Sequence, residues 1–259
     1  MSDTVSVSNM KVKVTAPDGI VISNYAKSSW ATSCDVNMTS AAVLAPTSTD
    51  GAATPSWVKS SSRLFDDADA HRGADGYTSL SFGDSDWTAE AANDGSVASK
   101  DGINYVLRRN FYVKATGEKA WEKKLVIDKV EASFTTSNAT DDTKKKEQDL
   151  YKSLRVLFVV GSGQTKDTFI YAPFYTESTE ANLSYYFNAA QSTTSAHEQD
   201  FDGVCSNTTS IPITDADAVP VTMYLYFEGE DSNCKSSNIA GITLTDISVN
   251  ANFKVSSDS

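Results

Sequence analysis

The sequence predicts an all-β protein, and a β-sandwich of the jelly-roll type fits it best. Many short segments alternate apolar and polar residues with a period of two, which is typical of strands that bury one face. These segments do not alternate regularly with helical ones, which argues against a doubly wound parallel sheet. The 259 residues are 40% hydrophobic and 10% aromatic, enough for a large core. We therefore predict one sandwich domain over residues 1–259.

The clearest strand is Val221–Asp231, VTMYLYFEGED, where apolar residues occupy every second position of the first seven. Its last part carries Glu228, Glu230 and Asp231 around Gly229. We expect this part to leave the core, because burying three unpaired carboxylates costs too much free energy.

At the start of the chain, the segment Thr4–Thr15 alternates in two phases that change at Ser8-Asn9. This change predicts a bulge or a break between two strands. The turn signal Pro17-Asp18-Gly19 follows, and Ile20-Val21-Ile22 resumes a strand. We expect the strands on either side of the turn to form a hairpin.

Residues 24–102 show weak periodicity and are rich in Ser, Thr, Ala, Asp and Gly. A structureless loop of this length is rare in compact domains, so we expect several short elements packed on the sandwich. Within this region, Ser85–Ala98 is polar and predicts a surface excursion. The apolar anchors are Trp30, Trp57, Leu64, Phe65, Tyr77, Leu80, Phe82 and Trp87.

Later segments complete the predicted sandwich. Leu154–Val160, LRVLFVV, is almost continuously apolar and predicts a strand buried on both faces. Asn138–Asp149 is a charged connector with one or two helical turns, and Ser178–Ala190 has the spacing of a short helix. The other predicted strands are Ile103–Lys114 (a long bent strand or a strand pair), Lys124–Thr135, Thr168–Phe174, Ile211–Ile213 and Gly241–Val255.

Charge and hydropathy limit the partners. The net charge of −12 disfavours nucleic acid and anionic membrane surfaces, which both attract clustered Lys and Arg. No apolar run approaches the roughly 20 residues of a membrane span. The first residues, MSDTVSVSNM, have neither the basic start nor the apolar core of a signal peptide, so a leader is either absent or removed. The acidity fits a protein that is soluble outside the cell.

No pattern in the chain indicates catalysis. The two histidines are His71 and His197, and His197-Glu198 lacks the second histidine of a zincin motif. A G-x-S-x-G nucleophile elbow is also missing. We therefore predict a protein without catalytic residues.

Acidic loops raise the question of calcium, which prefers six to eight oxygen ligands. Asp84 and Asp86 share one loop, and neither acidic loop has the spacing of an EF-hand. We predict no cofactor or metal ligand and keep calcium as the alternative. The other loop contains Asp66, Asp67, Asp69 and Asp75.

Three cysteines allow at most one internal disulfide. Cys205 and Cys234 are a candidate pair that would join two late loops. A bond from Cys34 to either of them would tie the early chain to its end, and three thiols without a bridge are the remaining alternative.

Trp57 and Trp87 lie in polar segments and are candidates for stacking on sugar rings. The alternative role of both is packing beneath a long loop.

Four segments resemble the TasA/camelysin family of exported bacterial proteins. They are SDTVSVSNMKVKVTAPDGIVIS at the start, LYKSLRVLFVV in the centre, MYLYFEGEDSNC late in the chain and ISVNANFKV near the end. The resemblance implies export, a jelly-roll domain and assembly into fibres of the cell surface or biofilm matrix. Residues 24–102 have no counterpart in it.

In fibre-forming members of that family, the first strand of one subunit completes the sheet of the next. The resemblance places this donor strand at Asp3–Ser8, with Val5 and Val7 as the side chains that fill the acceptor. Backbone hydrogen bonds would supply affinity and alternate side chains the register. The alternative is that Val5 and Val7 pair within their own subunit.

The expected function is a non-enzymatic extracellular structural protein, a fibre subunit that binds copies of itself and other matrix or surface proteins. A surface adhesin or carbohydrate-binding module is the alternative. A camelysin-like metalloprotease is less compatible, because the chain has no histidine-rich zinc motif.

Overall fold

A computed structural model describes residues 5–8, 10–24, 27–35, 42–49, 51–60, 77–89, 95–116, 123–135, 140–162, 165–172, 211–213, 218–229, 233–234 and 243–256. Over these ranges the protein is all-β, which confirms the predicted fold class, while the jelly-roll subtype stays a prediction. The strands are β1 (Val5–Ser8), β2 (Lys11–Thr15), β3 (Ile20–Asn24), β4 (Ser33–Asp35), β5 (Ala42–Leu44), β6 (Ser48–Thr49), β7 (Trp57–Ser60), β8 (Tyr77–Leu80), β9 (Trp87–Ala89), β10 (Gly95–Lys100), β11 (Ile103–Ala115), β12 (Lys123–Thr135), β13 (Leu154–Ser162), β14 (Thr165–Tyr171), β15 (Ile211–Ile213), β16 (Val219–Phe227) and β17 (Thr243–Ser256), with a helix α1 (Asp141–Lys152).

The strands form three layers. The middle sheet has the order β14-β13-β16-β11, and β10 and β3 pair with the other edge of β11. The closing sheet is built on β17, with β12 on one side and β1 and β2 on the other. β5 joins these two sheets, because it pairs with β1 and touches β11. The small sheet, β6-β7-β8, forms the third layer.

The main core lies between the middle and closing sheets. Phe253 of the closing sheet contacts two rings of the middle sheet edge to face, Phe111 at 6.0 Å and Phe158 at 6.4 Å between centroids. Val156 and Val160 of β13 belong to the same buried cluster. Burial of these apolar faces is the main source of stability for the sandwich.

A second buried cluster covers the opposite face of the middle sheet. The cluster includes Leu157 and Val159 of β13 and Tyr226 of β16. The small sheet contributes Trp57 and Leu80. β13 is therefore buried on both faces from Leu154 to Val160, which confirms the prediction made from its continuous apolar run.

The predicted hairpin around Pro17-Asp18-Gly19 is wrong. β2 pairs with β17 and β4, whereas β3 pairs with β11, so the turn carries the chain from the closing sheet to the middle sheet. The turn itself forms as expected, with the Ile20 N–H donating to the Pro17 carbonyl at 3.1 Å. Both strands bury their apolar residues in the main core. Two strands in facing sheets can do this as well as two paired strands of a hairpin, so the sequence pattern does not distinguish the two arrangements.

The described parts of 24–102 contain seven short strands, β4 to β10, which confirms the expectation of several short elements. The interpretation of Ser85–Ala98 as a surface excursion is wrong for its end. β10 pairs with β11 from Gly95 to Lys100, and Ala98 is fully buried. Small residues fit there because the small sheet lies close by.

The helix α1 is longer than the one or two turns predicted. Its 12 residues begin after Thr140, whose hydroxyl accepts the Thr143 N–H at 3.4 Å, as an N-cap does. The buried residue Tyr151 stacks on Phe134 of β12 with 3.7 Å between ring centroids, which anchors the helix to the closing sheet. Among the described residues, no helix has the length and hydropathy needed to cross a membrane.

Candidate functional site

Two regions contain the residues that the sequence proposed for self-assembly and for glycan stacking: the position of β1 and a groove beside the small sheet. β1 lies between two strands of its own chain, parallel to β17 and antiparallel to β5. Its residues pair in register on both sides, with Ser6 opposite Thr243 and Val43, and Val7 opposite Leu244 and Ala42. We call this position between β5 and β17 the β1 slot.

The change of phase at Ser8-Asn9 coincides with the break between β1 and β2. Both strands nevertheless keep one register along β17, because Ser8 pairs with Thr245 and Lys11 with Ser248. β17 also changes phase here, since Leu244 and Ile247, which are three positions apart, are both buried. The change of phase in the sequence of β1 and β2 therefore coincides with one in their parallel partner strand.

Val5 and Val7, the residues predicted to fill an acceptor subunit, lie on β1 within their own chain. Val5 is paired with Leu44, which is fully buried. The structure gives the arrangement of the single subunit, and exchange of β1 between subunits stays a prediction.

The second region is a groove of about 440 Å³ between the small sheet and the outer face of the middle sheet. Trp57 and Trp87, the two tryptophans proposed from the sequence to stack on sugars, both line it. Tyr224 lies between them, with ring centroids 5.7 Å from Trp57 and 6.1 Å from Trp87, and Phe82 packs at 5.7 Å from Trp87. We call this region the aromatic groove.

The two tryptophans differ in exposure. Trp57 is only 4% exposed and packs edge to face on Tyr226 at 5.1 Å, so most of its surface serves the second core. Trp87 is half-buried and borders the groove opening. Trp57 thus forms the back wall of the aromatic groove, and Trp87 is the better placed of the two for a ligand.

Arg108 supplies the positive charge of the groove. Its guanidinium lies 4.0 Å from the centroid of the Trp87 ring, and its Nε donates to the Ser96 hydroxyl at 2.9 Å. It also acts electrostatically on Tyr224. Burial raises the pKa of Tyr224, and the positive charge of Arg108 partly opposes that rise. Arg108 was not predicted from the sequence, although a charged residue within an otherwise alternating strand was a usable signal.

A buried polar cluster lies next to the groove on the same face of the middle sheet. Arg155 is the register partner of Tyr226, and Glu228 follows two residues later on the same strand face. The prediction that Glu228 leaves the core is wrong, because its side chain is fully buried. Arg155 and Glu228 both act electrostatically on Tyr226, in opposite directions, so this buried cluster contains one charge of each sign. Glu230 and Asp231 lie outside the described residues.

The buried Arg155 also donates hydrogen bonds to backbone carbonyls at the C-terminal end of α1. Its Nη1 donates to the carbonyls of Lys152 at 2.7 Å and Leu154 at 3.1 Å. A positive charge at a helix C-terminus is favoured by the helix dipole.

The acidic residues proposed for calcium fall into two groups. Asp86 accepts the Gly83 N–H at 2.8 Å and pairs with Lys100 at 3.1 Å, which together lower its pKa. Asp84 lines the aromatic groove. The described residues contain no group of three His, Cys, Asp or Glu side chains close enough to hold a metal. The other four candidates (Asp66, Asp67, Asp69 and Asp75) lie outside the described ranges, and calcium stays an untested alternative.

The remaining sequence candidates are only partly described. Cys34 lies on β4 and is partly buried, and Cys234 is fully buried against the main core. Cys205, His71 and His197 lie outside the described residues, so the Cys205–Cys234 pairing stays a prediction.

Comparison of the chain with protein-family models, with curated proteins and with solved structures found no match.

Proposed function

We propose that this protein is a non-enzymatic extracellular structural protein, the subunit of a fibre at the cell surface or in a biofilm matrix. In this proposal, β1 of one copy enters the β1 slot of the next copy. The position of β1 is the observation that supports it best. This short strand is hydrogen-bonded on both sides, so an identical strand from another copy would make the same bonds in the same register.

Exchange requires that β1 can leave while its neighbours stay in place. β2 is held by Met10, Val12 and Val14, which are all buried in the main core. β1 has only four residues and is separated from β2 by the break in phase. Its departure would open the edges of β5 and β17, and unpaired edges favour pairing with another chain.

The resemblance of four segments to the TasA/camelysin family leads to the same expectation. It also motivates the export and the assembly into fibres that we propose, with partners that include other matrix or surface proteins. The strongly negative net charge agrees with a location in which solubility is required.

Cysteine pairing can test exchange directly, because antiparallel register partners lie close enough for a disulfide. Ser6 and Val43 are such partners across β1 and β5. We expect a mixture of the single variants Ser6→Cys and Val43→Cys, assembled under oxidising conditions, to form disulfide-linked dimers. Peptide mass spectrometry would identify the bond between residues 6 and 43.

The matched control uses Lys13 and Asp35, which are antiparallel partners across β2 and β4. This pair stays within one subunit in our proposal, so mixing Lys13→Cys with Asp35→Cys should give no such dimer. The double variant Ser6→Cys/Val43→Cys should lock β1 in its own slot and prevent fibres until a reductant is added. The proposal would be wrong if fibres seen by electron microscopy lacked the 6–43 link, or if concentrated protein stayed monomeric with and without residues 1–8.

A further inference from the structure

The aromatic groove combines features that strand exchange does not explain. Three partly exposed rings, those of Phe82, Trp87 and Tyr224, line one cavity of about 440 Å³. Sites of this size usually combine apolar rings with a few placed polar groups that orient a ligand.

The polar groups of the groove have a clear pattern. Its lining includes the hydroxyls of Ser79 and Ser81 and the carboxylate of Asp84, which accepts hydrogen bonds. Such a lining suits a ring with several hydroxyl groups on its edge and C–H groups on its face. A purely apolar partner would leave these groups dehydrated without hydrogen bonds, at a cost in free energy.

Arg108 adds the selectivity. The neighbouring carboxylate of Asp86 is already paired with Lys100, and no carboxylate of the described residues pairs with Arg108. Its guanidinium has five N–H donors, and among the described residues its Nε donates to the Ser96 hydroxyl, which leaves donors for a ligand. A guanidinium fork binds planar carboxylates, like phosphates, through strong bidentate hydrogen bonds.

We propose that the aromatic groove binds an acidic saccharide, a chain of pyranose rings that carries carboxylates. A ring packs against Trp87 and Phe82, a carboxylate accepts hydrogen bonds from Arg108, and ring hydroxyls donate to Asp84. Stacking of Trp87 on Arg108 holds the guanidinium in place before the ligand arrives, which lowers the entropic cost of binding. The site is separate from the β1 slot, so it can operate in the monomer and in a fibre.

Titration by calorimetry and tryptophan fluorescence tests the proposal, with tetragalacturonate as the probe. We expect saturable binding with a 1:1 stoichiometry. The methyl ester of the same oligomer, which differs only in charge, should bind at least tenfold more weakly. Arg108→Gln should lose at least tenfold in affinity for the acid form and little for the ester, and Trp87→Ala should weaken both.

The control variant is Lys114→Gln, which removes a cation stacked on Trp30 at 4.0 Å, outside the groove. It should bind tetragalacturonate like the wild type. Thermal melts of each variant, together with the ester titration, separate a lost contact from a lost fold. The proposal is overturned if the acid form does not bind at millimolar concentration, if its ester binds equally well, if Arg108→Gln binds both forms like the wild type, or if tetraglutamate competes as well as the saccharide.

Discussion

The two faces of the middle sheet are made from alternate residues of the same strands, yet they differ in chemistry. On the face toward the closing sheet, the buried side chains described in β13 and β16 are apolar, such as Phe158 and Met223. The opposite face mixes apolar residues with Arg155, Tyr226 and Glu228, and the aromatic groove opens beside them. The inner face therefore contributes mainly to stability, whereas the outer face buries charged groups, which costs free energy.

The largest effect is expected on the inner face. Phe158 is fully buried and packs edge to face on Tyr171 at 5.7 Å and on Phe253 at 6.4 Å. Phe158→Ala should reduce the free energy of unfolding by about 3–5 kcal/mol, because it leaves a cavity between the two sheets. Urea unfolding measures this loss. Phe158→Leu should cost clearly less, and a cost below about 1 kcal/mol for the alanine variant would contradict the assigned core.

The next effect tests whether the outer layer is a separate unit. Trp57→Ala removes the ring that joins the small sheet to Tyr226 and Tyr224, and we expect a cost of about 3 kcal/mol. The loss should be local, so amide hydrogens of β7 and β8 should exchange faster while those of β13 and β16 stay protected. Trp87→Ala changes a half-buried position, so it should change amide hydrogen exchange less than Trp57→Ala does. Uniform loss of protection in all strands would show that the layers unfold together.

A smaller effect is expected from the buried cation of the outer face. Arg155→Met removes the donors to the Lys152 and Leu154 carbonyls and a positive charge that acts on the buried Tyr226. Hydrogen bonds from charged groups contribute about 1.5–3 kcal/mol, and we expect a loss in that range. Arg155→Lys keeps the charge but not the planar fork, so its free energy of unfolding should lie between those of the wild type and Arg155→Met. A gain in stability on Arg155→Met would mean that the cluster costs more than it contributes.

These differences also explain which features could be predicted from the sequence. Alternation and the continuous run at Leu154–Val160 report burial directly, so the fold class and a doubly buried strand followed from them. The partner of a strand is not a local property, so the turn at Pro17-Asp18-Gly19 was recognised while its topology was not. The small residues of β10 gave no signal of burial, because the segment depends on the small sheet for its cover.

The candidate site shows the same limit. Trp57 and Trp87 were predicted from residue type, and the structure brings them into one groove. The burial of Glu228 was missed because its backbone partners, Thr47 and Ser153, are distant from it in the chain. Arg108 was missed because its role depends on Trp87 and Tyr224, which belong to two other strands. Polar exceptions in a buried face are therefore visible in the sequence, but their compensation is not.

The smallest effect concerns Tyr226, the neutral member of the outer polar cluster. Its hydroxyl is buried and has no hydrogen-bond partner among the described residues. Burying an unsatisfied polar group costs free energy, so Tyr226→Phe should stabilise the protein by about 1 kcal/mol at pH 7. Its ring contact with Trp57 would be kept.

The pH dependence of this difference gives a sharper test. Burial, and then the carboxylate of Glu228, raise the pKa of Tyr226 well above its ordinary value, with Arg155 acting in the opposite direction. A tyrosine in the unfolded chain releases its proton near pH 10, whereas the native Tyr226 keeps it. Titration of this hydroxyl therefore leaves the stability of the wild type unchanged below about pH 10. Above that pH it lowers the free energy of unfolding by up to about 1.4 kcal/mol per pH unit. Tyr226→Phe lacks this loss, so its advantage should grow between pH 10 and 11.5. If the difference in unfolding free energy between Tyr226→Phe and the wild type stayed constant from pH 7 to 11.5, the Tyr226 hydroxyl would be in contact with solvent, and this part of the outer face would not be buried.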